Sequence, residues 1–148
     1  MNNKFDFSEV KSRTHHNPDG SKTHYVTEVY RRGELIEETD SVLHRDDQPA
    51  YLKYRIHESV DGENRMELQE ERWYTNGKVD GLDTQPAWSK WNEKGQLTFQ
   101  SFYKEGVLHR GNNKPAHFSL NNETGEYDVQ FWVGGAQTDE PELLDSEL

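Results

Sequence analysis

One feature limits this chain more than any other: an aromatic-x-x-Gly unit that returns at fixed spacing. It occurs as Val29-Tyr30…Gly33, Trp73-Tyr74…Gly77, Phe102-Tyr103…Gly106 and Phe131-Trp132…Gly135, with glycines 44, 29 and 29 residues apart. A Pro-Ala pair follows in three copies, at Pro49-Ala50, Pro86-Ala87 and Pro115-Ala116. Gly to Pro is nine residues in the second and third copies and sixteen in the first, the surplus falling in the acidic stretch Glu34–Val42. Leu43-His44-Arg45 stands in phase with Leu108-His109-Arg110, and the middle copy carries Val79-Asp80-Gly81 there. Several features in register across 29 residues define a structural unit, and a fourth unit begins at Phe131 before running into the acidic end.

Each unit reads as a β-hairpin with a connecting loop. Short strands Ala87–Trp91 and Ala116–Leu120 precede turns rich in Asn, Asp and Gly, residues that accept positive φ or bond their own backbone. Alternation gives the strand faces: Tyr127, Val129, Phe131 and Val133 against Asp128 and Gln130, and Leu52, Tyr54 and Ile56 against Lys53 and Arg55. Asn17-Pro18-Asp19-Gly20 joins Lys4–Arg13 to Lys22–Arg31, and Val60–Asn64 is expected to turn the longest hairpin. Arg65–Arg72 reads as strand by its place before Trp73-Tyr74. The expected fold is all-β, an antiparallel meander of about eight strands in one domain, 1–137, followed by an acidic flexible tail, 138–148. Disorder is also expected to extend to the acidic stretch Glu34–Val42.

Composition pulls the other way. Leu, Ile, Val and Phe are 28 of 148 residues, about 19%, a level at which charged chains are often disordered. Seventeen aromatic residues offset that shortage, since each ring can bury on the order of 150–250 Å². Trp88, Trp91, Phe99, Phe102, Tyr103, Phe118, Phe131 and Trp132 are read as core or sheet-face packing. Rings on both faces mean that a sheet one layer thick leaves one aromatic face for a partner.

At Trp73-Tyr74-Thr75-Asn76-Gly77 and at Gly106-Val107-Leu108-His109-Arg110…Pro115-Ala116 the chain resembles a variant of the MORN repeat family, over about residues 25 to 137. It departs from that pattern before each Pro, with Gln48, Gln85 and Lys114, and at Asp80-Gly81. The resemblance implies an array of β-hairpins serving as a scaffold for contacts, of a kind found in phage, large-virus and toxin-antitoxin proteins, and it implies no catalytic residues.

Charge then says where contacts are expected. The net charge of −11 divides into +2 over residues 1–32, −7 over 33–72, +2 over 73–118 and −8 over 119–148. Lys and Arg form no clustered run, which argues against direct nucleic-acid binding. The acidic zones are the expected partner-binding residues: Glu34, Glu37, Glu38, Asp40, Asp46, Asp47, Asp61, Glu63, Glu67, Glu70, Glu71, Asp139, Glu140 and Glu142. A basic protein surface, such as that of a nucleic-acid-binding host protein, is the expected partner. A phage or mobile-element inhibitor mimicking nucleic-acid charge to block a host nuclease or defence complex is the sharp form of this reading. The alternative is a structural protein that self-associates through sheet edges and aromatic faces.

No catalytic, metal or cofactor residues are expected. His15 and His16 are adjacent, so a strand would point them to opposite faces. His44-Arg45 and His109-Arg110 recur once per repeat, which suits a structural job: bonding loop carbonyls or pairing with local acids such as Asp46. Asp61-Gly62-Glu63-Asn64 lacks the spaced oxygen ligands of a calcium loop, and no nucleophile elbow or phosphate loop is present. The N-terminus has no charged-then-apolar leader and no apolar run spans a membrane, so the expected address is the cytoplasm.

Overall fold

The computed structural model describes residues 4–34 and 37–140. The described residues form only strands, turns and loops: β1 (Lys4–His16), β2 (Lys22–Glu34), β3 (Glu37–Leu43), β4 (Tyr51–Glu58), β5 (Asn64–Arg72), β6 (Tyr74–Thr75), β7 (Lys78–Val79), β8 (Trp88–Trp91), β9 (Leu97–Ser101), β10 (Tyr103–Lys104), β11 (Val107–Leu108), β12 (His117–Leu120), β13 (Tyr127–Val133) and β14 (Ala136–Thr138). One antiparallel sheet runs β1-β2-β4-β5-β8-β9-β12-β13-β14, with β3 pairing β2 off that path, and β6-β7 and β10-β11 are separate two-stranded ribbons.

The expected meander is present, built from long hairpins and short ones in alternation. The short ones raise the strand count above the eight expected. The longest hairpin is β1-β2, two strands of 13 residues turning at Asn17–Ser21, rather than the one at Val60–Asn64. Asn17 holds that turn, its amide Nδ2 donating to Ser21 and Thr23 hydroxyls at 3.0 and 3.1 Å. Residues 37–42 of the acidic stretch, expected to be disordered, form β3 with Leu43 against β2, with a register break between Arg32 and Glu34. A paired strand next to a bulge absorbs the surplus residues that interrupt the first repeat.

The short hairpins β6-β7 and β10-β11, and the turn of β13-β14, use two-residue loops. Asn76-Gly77, Glu105-Gly106 and Gly134-Gly135 all have positive φ (48° and 84°, 49° and 87°, 58° and 85°). Two successive left-handed residues are what a type I′ turn requires, which is why Gly recurs at the second position. The fourth repeat, which the sequence shows running into the acidic end, completes its hairpin: Thr138 pairs with Phe131.

A hinge joins the two kinds of hairpin. The Ala of each Pro-Ala pair is fully buried, at 0% exposure for Ala50, Ala87 and Ala116. Each donates its N–H to the next long hairpin, at Arg72, Ser101 and Gln130, over 2.8–3.0 Å. Each carbonyl in turn accepts from an aromatic N–H of its own repeat: Tyr30, Trp73 and Phe102. Tyr30, one place after Val29, therefore occupies the position that Trp73 and Phe102 hold in their copies, so the first copy is shifted by one against its glycine. Gly33 lacks the positive φ of its counterparts.

Successive short hairpins are also bonded to each other. The Gly77, Gly106 and Gly135 N–H groups donate to the carbonyls of Leu43, Val79 and Leu108 in the preceding repeat (2.8, 2.8 and 2.9 Å). Arg45, Gly81 and Arg110 return the bond to Tyr74, Tyr103 and Trp132. This second ladder runs beside the main sheet, and the repeats cannot slide past one another without breaking it.

Candidate interaction surface

The histidines of the repeat act on this second ladder. Backbone N–H groups can only donate, so the 2.9 Å bonds from Asn76 N–H to His44 Nδ1 and from Gly134 N–H to His109 Nδ1 fix Nδ1 as the acceptor in each ring. His44 Nε2 then donates to Asp46 Oδ1 at 2.8 Å. Asp80 does the same job in the middle repeat, accepting the Glu105 N–H at 3.0 Å. The structural role expected for the His-Arg pairs holds: His44 pairs with Asp46, the arginines bond loop carbonyls, and the histidines add a bond from a loop N–H. Arg45 and Arg110 lie over the rings of Tyr30 and Phe102, at 3.7 and 3.8 Å, and donate to the Pro49 and Pro115 carbonyls. Gly81 replaces Arg in the middle copy because the Gln85 carbonyl fills the space, only 2.6 Å from where a Cβ would sit.

Beyond the hinge the sheet is open. Val26, Phe102 and the three alanines are the buried apolar side chains among the described residues.

Pairing register sorts the side chains into two faces. One carries the rungs Val26-Tyr54-Leu68 and His24-Ile56-Met66, and further along it Leu52, Phe118 and Val129. On this apolar face Met66 is 64% exposed, Val10 60%, Tyr127 44% and Val129 43%. Glu28 is held there by the Tyr30 hydroxyl at 2.9 Å. Burial, with Glu28 beside it, pushes the Tyr54 phenol up to about 12.

The opposite face carries Tyr25, Tyr51, Trp88 and Phe99 among cations. Arg72 lies over Tyr51 and Trp88 at 4.5 and 4.4 Å, Lys90 over Trp88 and Phe99 at 5.1 Å, and His117 meets Phe99 edge-on at 5.0 Å. Burial lowers the pKa of His117, whose Nδ1 sits 2.7 Å from the Ser101 hydroxyl. Arg55, expected simply to oppose the apolar set of β4, is buried on this face, bonded to Glu93 at 3.1 Å and to Glu67 at 3.4 Å.

The acids expected to bind a partner fall into three groups. Several are already engaged. Glu67 serves Arg55, His57 and Arg65, and the His57 hydrogen bond, against the effect of burial, holds its carboxyl below the usual range. Glu70 binds Arg72 and the Trp88 indole N–H, at 2.6 and 2.8 Å. Asp46 takes His44 and Arg32. Asp61 accepts the Ser59 hydroxyl and caps its turn, while burial pushes the Glu71 carboxyl up. Asp47, Glu63, Asp139 and Glu140 are exposed, with no ion pair among the described residues. Glu34 lies on β2 and Glu37, Glu38 and Asp40 on β3, with side chains outside the described residues, as is the whole of Glu142. One uncovered face was expected, carried by rings; the aliphatic Val10 and Met66 that stand on it were not singled out, although the alternation of β4 and β5 held the signal for Met66.

Among the described residues no three His, Asp or Glu side chains are grouped to hold a metal ion, and no helix is long and apolar enough to cross a membrane. The class defined by fold and surface is thus an open antiparallel hairpin-repeat scaffold with one apolar and one cationic-aromatic face. Comparison with protein-family models, curated proteins and solved structures finds no match.

Proposed function

We propose that this chain is a non-enzymatic, protein-binding scaffold of MORN-like hairpins that works in the cytoplasm and receives its partner on the apolar face. The single observation that carries this reading is that Val10, Met66, Tyr127 and Val129 stand exposed on one face of a sheet over which the described residues place no second layer. The unpaired acids Asp47, Glu63, Asp139 and Glu140, with a net charge of −11, favour a basic partner and speed its approach. A nucleic-acid-binding host protein has such a surface, and inhibition by charge mimicry is the form this reading takes for a phage or mobile-element protein.

Capture from host lysate tests it, with wild type beside Met66→Lys/Val129→Lys and beside Lys90→Ala on the other face. The expected result is a basic partner retained by wild type and Lys90→Ala, lost by the double variant, and displaced by added salt and competing DNA. Recovery of the same partner by the double variant would overturn the apolar-face reading, and indifference to salt and DNA would overturn charge mimicry.

A second reading has its own observation. β1 is an edge strand of 13 residues whose outer backbone groups pair with no strand among the described residues, an edge that a second copy could extend. Light scattering over a concentration series decides: growth of dimers and larger species supports assembly, and a monodisperse monomer excludes it.

A further inference from the structure

The cationic-aromatic face holds a feature that the partner reading does not use. Lys11 pairs with Thr27 and Thr27 with Lys53, so one rung across β1, β2 and β4 places two lysines on either side of a threonine. With neighbouring strands about 4.8 Å apart, their backbones stand about 10 Å from each other, within the converging reach of two lysine side chains. On the next rung Arg13 pairs with Tyr25, and its guanidinium lies over that ring at 4.1 Å. Stacking of this kind fixes the plane of the guanidinium and leaves its N–H edge free to form a fork.

Lys11, Arg13, Tyr25, Thr27, Lys53 and Gln69 line one groove of about 390 Å³. No acid lies within 4 Å of the three cations among the described residues, although the chain has 28 acids. Glu70, paired with Lys53 on the same rung, is taken up by Arg72 and the Trp88 indole, Glu67 on the neighbouring rung by Arg55, His57 and Arg65, and Glu9 is the next acid along β1. Gln69 is the extra residue of the bulge in β5. Its Oε1 is buried with no hydrogen-bond partner. A ligand hydroxyl would satisfy that oxygen, and a half-turn of the amide would offer an N–H donor instead.

We propose that this groove binds a phosphate group. A carboxylate would be served by Arg13 alone. Three cations and a hydroxyl around one space suit a group with two negative charges and several acceptor oxygens. The phosphate can belong to the free ion, to a phosphorylated peptide or to a nucleotide.

Titration of the full chain with inorganic phosphate at constant ionic strength, followed by amide and arginine side-chain NMR, tests the site. The expected result is a saturable shift centred on Arg13, Thr27 and Gln69. Dissociation constants should rise at least about tenfold in Arg13→Gln and in Lys53→Gln, the loss of one charge-assisted hydrogen bond. Lys90→Gln, a cation on the same face but outside the groove, should bind as wild type. Both groove positions are exposed, so the variants should fold, and an unchanged amide spectrum elsewhere verifies it. Parallel titrations with a phosphoserine peptide and a nucleoside monophosphate name the source by which of the three binds tightest. Absence of a saturable shift at the groove, or equal binding by wild type, Arg13→Gln and Lys53→Gln, would overturn the proposal.

Discussion

The hinge and the open sheet are made from one chain by opposite rules. At the hinge, three alanines with 0% exposure are bonded on both sides, and His44, Asp80 and His109 hold the next turn by its N–H. Further along the same strands the sheet leaves Met66 and Val10 mostly exposed. The repeated residues therefore maintain the fold, and the unrepeated ones of the two sheet faces are less constrained by it. Substitutions should accordingly be costly at the hinge and nearly silent on the faces.

Ala87→Leu should have the largest effect. Three carbon atoms forced into a site with no free space should cost about 3 kcal/mol, lowering Tm by about 6–12 °C in a domain of this size. Met66→Lys on the apolar face should stay within about 0.5 kcal/mol in the same thermal melts. Equal losses for the two would break the comparison. Gly81→Arg comes next, at about 2 kcal/mol, because it writes the sequence of the other copies into a place where the Gln85 carbonyl is 2.6 Å from the new Cβ.

His109→Ala should cost about 1 kcal/mol by leaving the Gly134 N–H without its acceptor. His109→Asp should recover most of that loss, as Asp80 performs the same task one repeat earlier. The smallest effect is pH-dependent. Burial raises the Glu71 pKa above its ordinary 4.5, so the folded protein holds that proton more tightly than the unfolded chain does. The contribution of Glu71 to stability is therefore full below about pH 4.5 and is lost as pH rises through the raised value. Glu71→Gln should be more stable than wild type at pH 7, and the difference should vanish near pH 4 in thermal melts.

Much of the hinge was legible in the sequence, because turns and buried alanines impose residue types at fixed spacing. Asn76-Gly77 and Gly134-Gly135 announce their turns, and the phase of Pro-Ala gives the hinge. Strand β3 was hidden because its acids are those of a solvated loop, and it forms by completing a hairpin beside a bulge. The ladder between short hairpins was hidden because two-residue strands carry no alternation to read. Faces were the least legible part. Block sums of charge average over both sides of a sheet, and only the register of β1, β2 and β4 brings Lys11 and Arg13 next to Lys53, 42 positions on from Lys11. Burial of Arg55 likewise depends on Glu93, which lies in the turn between β8 and β9.

Residue-resolved amide hydrogen exchange tests the division into hinge and open sheet most directly. The N–H groups of Ala50, Ala87, Ala116, Gly77, Gly106 and Gly135 should exchange only with global unfolding, at one common free energy. Those around the outer turns at Asn17–Ser21 and Asn121–Gly125 should exchange through local opening, orders of magnitude faster. Hinge amides that exchange as fast as the outer turns would contradict the account.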